Sequence, residues 1–305
     1  MSVEVSNLSK QYGSQMAVDH IDFSAKKGEI LGFLGPNGAG KSTTMKIITG
    51  YVAPTSGEAK VCGISVNEQP LEAAAKVGYL PEHNPLYLDM YVKEYLAFVA
   101  GLHKLNNPSD RIQEMITITG LDREQKKKIG QLSKGYRQRV GLAQAMIHDP
   151  EVLILDEPTA GLDPNQLVEI RALIKSLGRE KTVLFSTHIM QEVQALCDHV
   201  VIIDKGKIVA NDTIDALEDT ISGQIQITVQ YAAEIPLSKI QSIPGVSQAK
   251  SLGNNRYTLS VKKQMDPRKQ LFDLALNHQT FILEMKRSEF SVEQIFQKLT
   301  GGSSS

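Results

Sequence analysis

Residues 28–43 read GEILGFLGPNGAGKST. An apolar run of strand length, a glycine-rich turn and a helix-forming stretch opening at Lys41 follow one another without a gap. The turn GPNGAGKS (35–42) fills every position of the pattern G-x-x-x-x-G-K-S/T in that strand-to-helix context, which identifies a P-loop. The glycines let backbone N–H groups close around phosphate oxygens, and the helix N-terminus adds positive dipole. Lys41 is placed to reach β- and γ-phosphates, and Ser42 to offer a hydroxyl to Mg²⁺. Gly35, Pro36, Asn37, Gly38, Ala39, Gly40 and Thr43 complete the cradle.

The flanking pattern is that of an α/β chain. Val3/Val5 and Ile21/Phe23 alternate as strands, 56–66 (SGEAKVCGISV) reads as β structure, and 77–82 (VGYLPE) as a short strand. The spacing predicts a helix over 41–49, stopped by Gly50. From about 84 to 148 the pattern turns helical. From 151 onward VLILD, TVLFST and HVVIID alternate with helices at about 164–177 and 189–197, the βαβ signature of a parallel sheet. Beyond about 222 the texture changes. A strand at 223–231, a helix near 237–242, strands near 246–251 and 255–261, a helix near 266–278, a strand near 280–286 and a last helix near 291–299 give βαββαβ, the order of a small ferredoxin-like α+β module spanning 223–300. GGSSS at 301–305 reads as a flexible tail.

Several classes are excluded or disfavoured. The 305 residues carry a net charge of −1, so no global field favours nucleic acid or anionic lipid. The basic stretch Lys126, Lys127, Lys128, Lys134, Arg137 and Arg139 is not set in a net-positive domain, and no nucleic-acid partner is expected. Cys62 and Cys197 lack metal spacing and read as thiols in a reducing compartment. The N-terminus has no signal-peptide h-region, and no apolar run reaches the ~18–20 residues of a membrane helix. A chain that is soluble or peripherally attached, and cytoplasmic, is expected.

A second set of residues suits phosphate chemistry. LILDEP (153–158) delivers Asp156 to the carboxyl end of a strand, where α/β folds bind ligands, to hold Mg²⁺. Glu157, next to it, can orient and deprotonate a water. His188 leaves TVLFST at the same end, where it could bond a γ-phosphate. LSKGYRQRV (132–140) is a second small-polar turn opening a helix. Taken alone it is a basic helix for DNA, an idle helix cap, or half of a site that something else completes.

In this order, GPNGAGKST, LSKGY, VLILDEP, AGLD (160–163) and His188 resemble the nucleotide-binding subunit of ABC transporters over roughly residues 1–222. The resemblance implies a P-loop ABC ATPase fold: a mixed or parallel sheet core, an N-terminal antiparallel β subdomain and a helical insert at about 84–148. It implies ATP and Mg²⁺, with Tyr12 stacked on adenine. It also implies a second ATPase subunit, a copy or a close relative, paired head to tail. Ser133 and the Gly135 N–H would then meet the γ-phosphate of the partner's ATP, with Asp163 in the D-loop. Each chain would carry two complementary half-sites. Separate transmembrane permease subunits are implied as well, with this chain peripheral on the inner face of the cytoplasmic membrane. The alternative is a soluble ABC-type ATPase of translation or DNA maintenance, which usually carries two cassettes or long coiled coils. Two positions depart from the family pattern. Lys134 and Tyr136 replace the third and fifth residues of LSGGQ, and Glu82 stands in GYLPE where glutamine is usual, still able to face Mg²⁺. The combination looks closest to a bacterial subgroup of drug- and sodium-export ATPases and a gliding-motility ATPase. HNPLYLDMYV (83–92) reads either as a docking surface or as subdomain core.

Overall fold

The computed structural model describes residues 1–217, 224–262 and 265–289. It divides into two compact units, Met1–Thr213 and Ile214–Ser305. The division falls before the 222/223 boundary expected from sequence.

In the first unit, β1 (Val3–Tyr12) and β2 (Gln15–Ala25) form a hairpin, extended by β4 (Ser56–Val61) and β5 (Ile64–Ser65) into an antiparallel sheet ordered β2-β1-β4-β5. The second sheet takes β3 (Ile30–Leu34), β6 (Val77–Leu80), β7 (Val152–Asp156), β8 (Thr182–Thr187), β9 (His199–Asp204) and β10 (Lys207–Thr213) in the order β10-β9-β3-β8-β7-β6. Its strands run parallel except β10, which turns back along β9.

Burial explains why β3, β7 and β8 read as unbroken apolar runs. All their residues are buried. Ile30, Leu153, Leu155, Val183 and Phe185 join the core beneath the helical subdomain. Leu31, Phe33, Val152, Ile154 and Leu184 join the core shared with the antiparallel sheet. A strand covered on both faces cannot alternate apolar with polar.

Between β3 and β4 lies α1 (Lys41–Ile48), and α2 (Pro70–Ala75) precedes β6. The helical subdomain consists of α3 (Val92–Leu102), α4 (Pro108–Ile118) and α5 (Lys134–Met146), with a 3₁₀ turn at Ile129–Gln131. Residues 84–91, read from sequence as helical, form an irregular loop instead. Leu86 is buried there and Tyr87 packs on Tyr95 and Phe98, so the segment is held by side chains rather than by helical hydrogen bonds. α6 (Pro164–Leu177) and α7 (Met190–Leu196) separate β7, β8 and β9.

In the second unit, β11 (Gln224–Tyr231), α8 (Leu237–Gln241), β12 (Val246–Gly253), β13 (Arg256–Lys262), α9 (Arg268–Asn277) and β14 (Ile282–Glu289) follow the expected βαββαβ order. The sheet is antiparallel in the order β12-β13-β11-β14, the ferredoxin-like arrangement. Ile227, Val229, Tyr257, Leu259 and Val261 share a core with Ile240 and Leu271 of the two helices. The Tyr257 hydroxyl donates to the Ile235 carbonyl at 2.6 Å and accepts its N–H at 3.1 Å. The helix expected near 291–299 and the 301–305 tail lie outside the described residues.

Candidate nucleotide-binding and hydrolysis site

The P-loop leaves the carboxyl end of β3 and hands the chain to α1. Its shape depends on glycine. Gly40 has φ 110°, and a Cβ there would lie 2.5 Å from the Ala17 carbonyl oxygen. A Cβ at Gly35 would collide with the Ile203 carbonyl oxygen of β9. Both clashes are with backbone, which cannot rotate away.

Lys41 is buried and folded back. Its Nζ donates to the Gly35 carbonyl at 2.7 Å and the Pro36 carbonyl at 3.3 Å, and lies 3.4 Å from Glu157 Oε1. Glu157 Oε2 meets His188 Nδ1 at 3.0 Å. The carboxylate is thus bracketed by a lysine and a histidine, and is itself almost fully enclosed. Glu157 sits in the left-handed region, at φ 50°. Such a conformation in a residue other than glycine is uncommon and clusters at functional sites.

Asp156 ends β7 beside Ser186 of β8 in register. The Ser186 hydroxyl donates to Asp156 Oδ1 at 2.5 Å and accepts the Glu157 N–H at 3.0 Å. Ser42 Oγ donates to the same Asp156 oxygen at 3.2 Å. Ser186 therefore fixes both acidic residues, a role its place in TVLFST did not disclose.

These groups open on a cleft of ≈430 Å³, lined by Tyr12, Asn37, Gly38, Gly40, Lys41, Ser42, Thr43, Glu82, Glu157 and His188, and also by Gln15, Ala17 and Ala160. Gln15 and Ala17 were not picked out from sequence, because nothing in β2 marks them locally; Ala160 opens the AGLD stretch, where only Asp163 was singled out. Tyr12 is about half exposed at the rim, with Lys10 Nζ 5.1 Å from its ring centre. Burial, with Asp156 and Glu82 nearby, pushes the Tyr79 hydroxyl far above its usual range.

Ser133, Gly135 and Asp163 do not line this cleft. Ser133 caps α5, its Oγ accepting the Tyr136 N–H at 3.4 Å. Asp163 caps α6, accepting the Gln166 N–H at 2.9 Å. Gly135 is buried against Gln166.

No group of three or more His, Cys, Asp or Glu suited to a metal occurs among the described residues. The Ser42 hydroxyl and Asp156 carboxylate nevertheless suit Mg²⁺, a hard cation that is commonly held by one or two carboxylates together with substrate phosphates and water. Among the described residues no helix is long and apolar enough to cross a membrane. Both cysteines are free thiols, and burial pushes the Cys197 thiol well up.

A P-loop flanked by a strand-end acidic pair and a histidine, on a predominantly parallel sheet, defines a P-loop ATP hydrolase. The comparisons give the family. The family model described as "ABC transporter" matches residues 18–160. The bacitracin transport ATP-binding protein of Bacillus licheniformis is 36% identical over 98% of this chain and 97% of its own length. The Nod factor export ATP-binding protein of Burkholderia orbicola is 36% identical over 70% of this chain and 72% of its own. Among solved structures, an ATP-binding subunit of an ABC transporter has a TM-score of 0.66 at 29% identity, covering 72% of this chain and 93% of its own. A dimeric ATP-binding cassette in a post-hydrolysis state, bound to ADP and Pi, has a TM-score of 0.63 at 25% identity over 70% of this chain and 98% of its own. The chain belongs to the ATP-binding proteins of bacterial ABC transporters, and is an ABC-type ATP hydrolase.

Proposed function

We propose that this chain drives export through separate transmembrane permease subunits by hydrolysing ATP in a head-to-tail dimer, on the inner face of the cytoplasmic membrane. The observation that carries this reading is the contrast between a P-loop cleft lined by Lys41, Ser42, Glu157 and His188, with Asp156 bonded to Ser42, and an exposed Ser133 turn apart from it. ATP enters with Tyr12 against the base and phosphates in the Gly35–Thr43 cradle. Ser42, Asp156 and Glu82 are the residues that hold Mg²⁺, which offsets charge on the transferring phosphoryl group. Phosphate oxygens draw Lys41 from Glu157, freeing the carboxylate to orient and deprotonate water. His188 bonds the γ-phosphate, and Ser133 and Gly135 of the second chain close over it.

The dimer reading is supported by the likeness to a dimeric cassette. Export is supported by relatives named for bacitracin transport, linearmycin resistance and Nod factor export. The gliding-motility likeness has no counterpart among these relatives. Tyr87, Leu88, Tyr91 and Phe98 leave much of their apolar surface exposed beside the cleft's Glu82 loop, which supports that face as the permease contact. The domain from about 223 to 300 acts as an accessory.

Two inactive variants test the shared site. Lys41→Ala and Ser133→Arg chains, mixed, are expected to regain ATPase activity from one intact interface; no recovery in verified heterodimers overturns sharing. Pull-down of tagged protein from native membranes in mild detergent is expected to bring a stoichiometric multi-helix partner. Recovery only with ribosomes or nucleic acid overturns transport and leaves the ATPase intact.

A further inference from the structure

The Ser133 hydroxyl is held by two donors from its own chain. Its oxygen accepts the Tyr136 N–H at 3.4 Å and Gln166 Nε2–H, reaching across from α6, also at 3.4 Å. A serine oxygen offers two acceptor positions and one proton. With both acceptor positions engaged from inside, the proton is left to point outward, and Ser133 is exposed. The turn therefore presents a hydrogen-bond donor, the polarity that suits a phosphate oxygen.

Gln166 is itself fixed. Its backbone N–H is bound by the Asp163 cap at 2.9 Å. Its side-chain amide fills the space beside Gly135, where a Cβ would lie 2.6 Å from both Cδ and Oε1. The Lys134 ammonium likewise occupies the space a Cβ on Gly161 would need. The 160–163 turn and the 133–135 turn are thus packed as one block, with Gln166 at the joint.

We propose that Gln166 is a positioning residue. It holds Ser133 as a donor toward the ATP of a second copy of this chain, and makes that donor move with the 160–163 turn. The inference rests on the shared-site reading above. A glutamate at 166 has only acceptors, so it would draw the Ser133 proton inward and turn lone pairs toward the phosphate. A methionine keeps the length and loses the donor.

The test is a double-mutant cycle in a Glu157→Gln background, reading ATP-driven dimerisation by sedimentation, with ADP affinity and Tm as controls. Gln166→Met is expected to weaken dimerisation roughly fivefold to tenfold, the scale of one modest hydrogen bond lost at each of the two symmetric sites, and Gln166→Glu to weaken it more. ADP affinity is expected to stay within about twofold, because the P-loop is untouched. Ser133→Ala combined with Gln166→Met is expected to be no worse than Ser133→Ala alone, since the amide then has no hydroxyl to orient. An additive double mutant, or a silent Gln166→Glu beside a defective Ser133→Ala, overturns the positioning role while leaving the shared site standing. A silent Ser133→Ala overturns the shared site and this inference with it.

Discussion

The chain carries two turns suited to phosphate, and they are built differently. The 35–43 cradle is locked by backbone, and its Lys41 and the adjoining Asp156 and Glu157 are buried and bound: Lys41 to Glu157, Glu157 to the exposed His188, Ser42 and Ser186 to Asp156. The 133–135 turn is exposed at Ser133 and held by two long hydrogen bonds, one from the Tyr136 backbone and one from the Gln166 side chain. In the proposed dimer the first receives the polyphosphate, and the second closes over the one held by the partner. A surface that must meet another chain has to stay open, whereas a surface that handles a transferring phosphoryl group must exclude water and fix its dipoles beforehand.

The contrast can be broken most directly at Glu157. Glu157→Gln is expected to bind ATP normally, lose about 10²–10⁴-fold in turnover and accumulate dimers with ATP. Single-turnover kinetics check this, and normal turnover removes Glu157 as base.

Glycines separate the two turns next. Gly40→Ala, at φ 110° against the Ala17 carbonyl, is expected to cost about 1–3 kcal/mol in stability and to abolish measurable nucleotide binding. Gly135→Ala meets only the Gln166 side chain, which can yield. It is expected to retain fold and ADP affinity while losing ATP-driven dimerisation. Calorimetry on both variants decides; equal loss of ADP affinity in the two would erase the distinction.

Ser186→Ala offers a smaller effect. It removes the hydroxyl that donates to Asp156 and accepts from Glu157, so kcat is expected to fall about tenfold with Tyr12-side binding unchanged, because one charge-assisted hydrogen bond is lost. A lowered affinity with full kcat would place Ser186 in binding instead.

The smallest effect concerns how the signature-bearing subdomain is joined to the sheet. After α5, His148 Nε2 bonds the Val77 carbonyl at 3.0 Å, its ring stacks 4.1 Å from His103, and its Nδ1 is buried without a partner. Burial, with the neighbouring His103 ring adding to it, pulls the His148 pKa down from 6.5 to about 4. The folded chain keeps His148 neutral, so unfolding takes up a proton between those values. Stability is fully present above about pH 6.5 and is lost as pH falls toward 4, by about 1–2 kcal/mol after allowing for partial exposure. Thermal melts across that window check it, and His148→Leu is expected to flatten the dependence.

What could be read from the linear chain was local chemistry. The cradle is contiguous, so its spacing alone shows it, and Asp156 and Glu157 adjoin one another on a strand whose end faces the cleft. The ferredoxin-like order was equally legible, because alternation in Gln224–Tyr231 and Arg256–Lys262 marks strands with one covered face. α2 escaped notice, being one short alanine-rich turn and a half, and so did β10, whose KIVANDT is polar because it lies on a sheet edge. The division after Thr213 follows from β10 pairing with β9, which carries the first unit only that far.

By itself, then, the sequence determined the P-loop, the strand-end acidic pair and the classes of element that carry them, since these depend on neighbours within a few positions. Tertiary structure alone decided that Ser186 bonds the Asp156 carboxylate and the Glu157 backbone, that Lys41 and His188 bracket the Glu157 carboxylate, and that Gln166 reaches Ser133. Those pairings lie 29 to 33 residues apart, except the far longer step from Lys41. They exist only because the parallel order β3-β8-β7 sets three strand ends side by side, and because α6 packs its first turn against the start of α5. Strand order and helix packing are settled by burying apolar faces together, and that is a property of the whole chain rather than of any stretch of it.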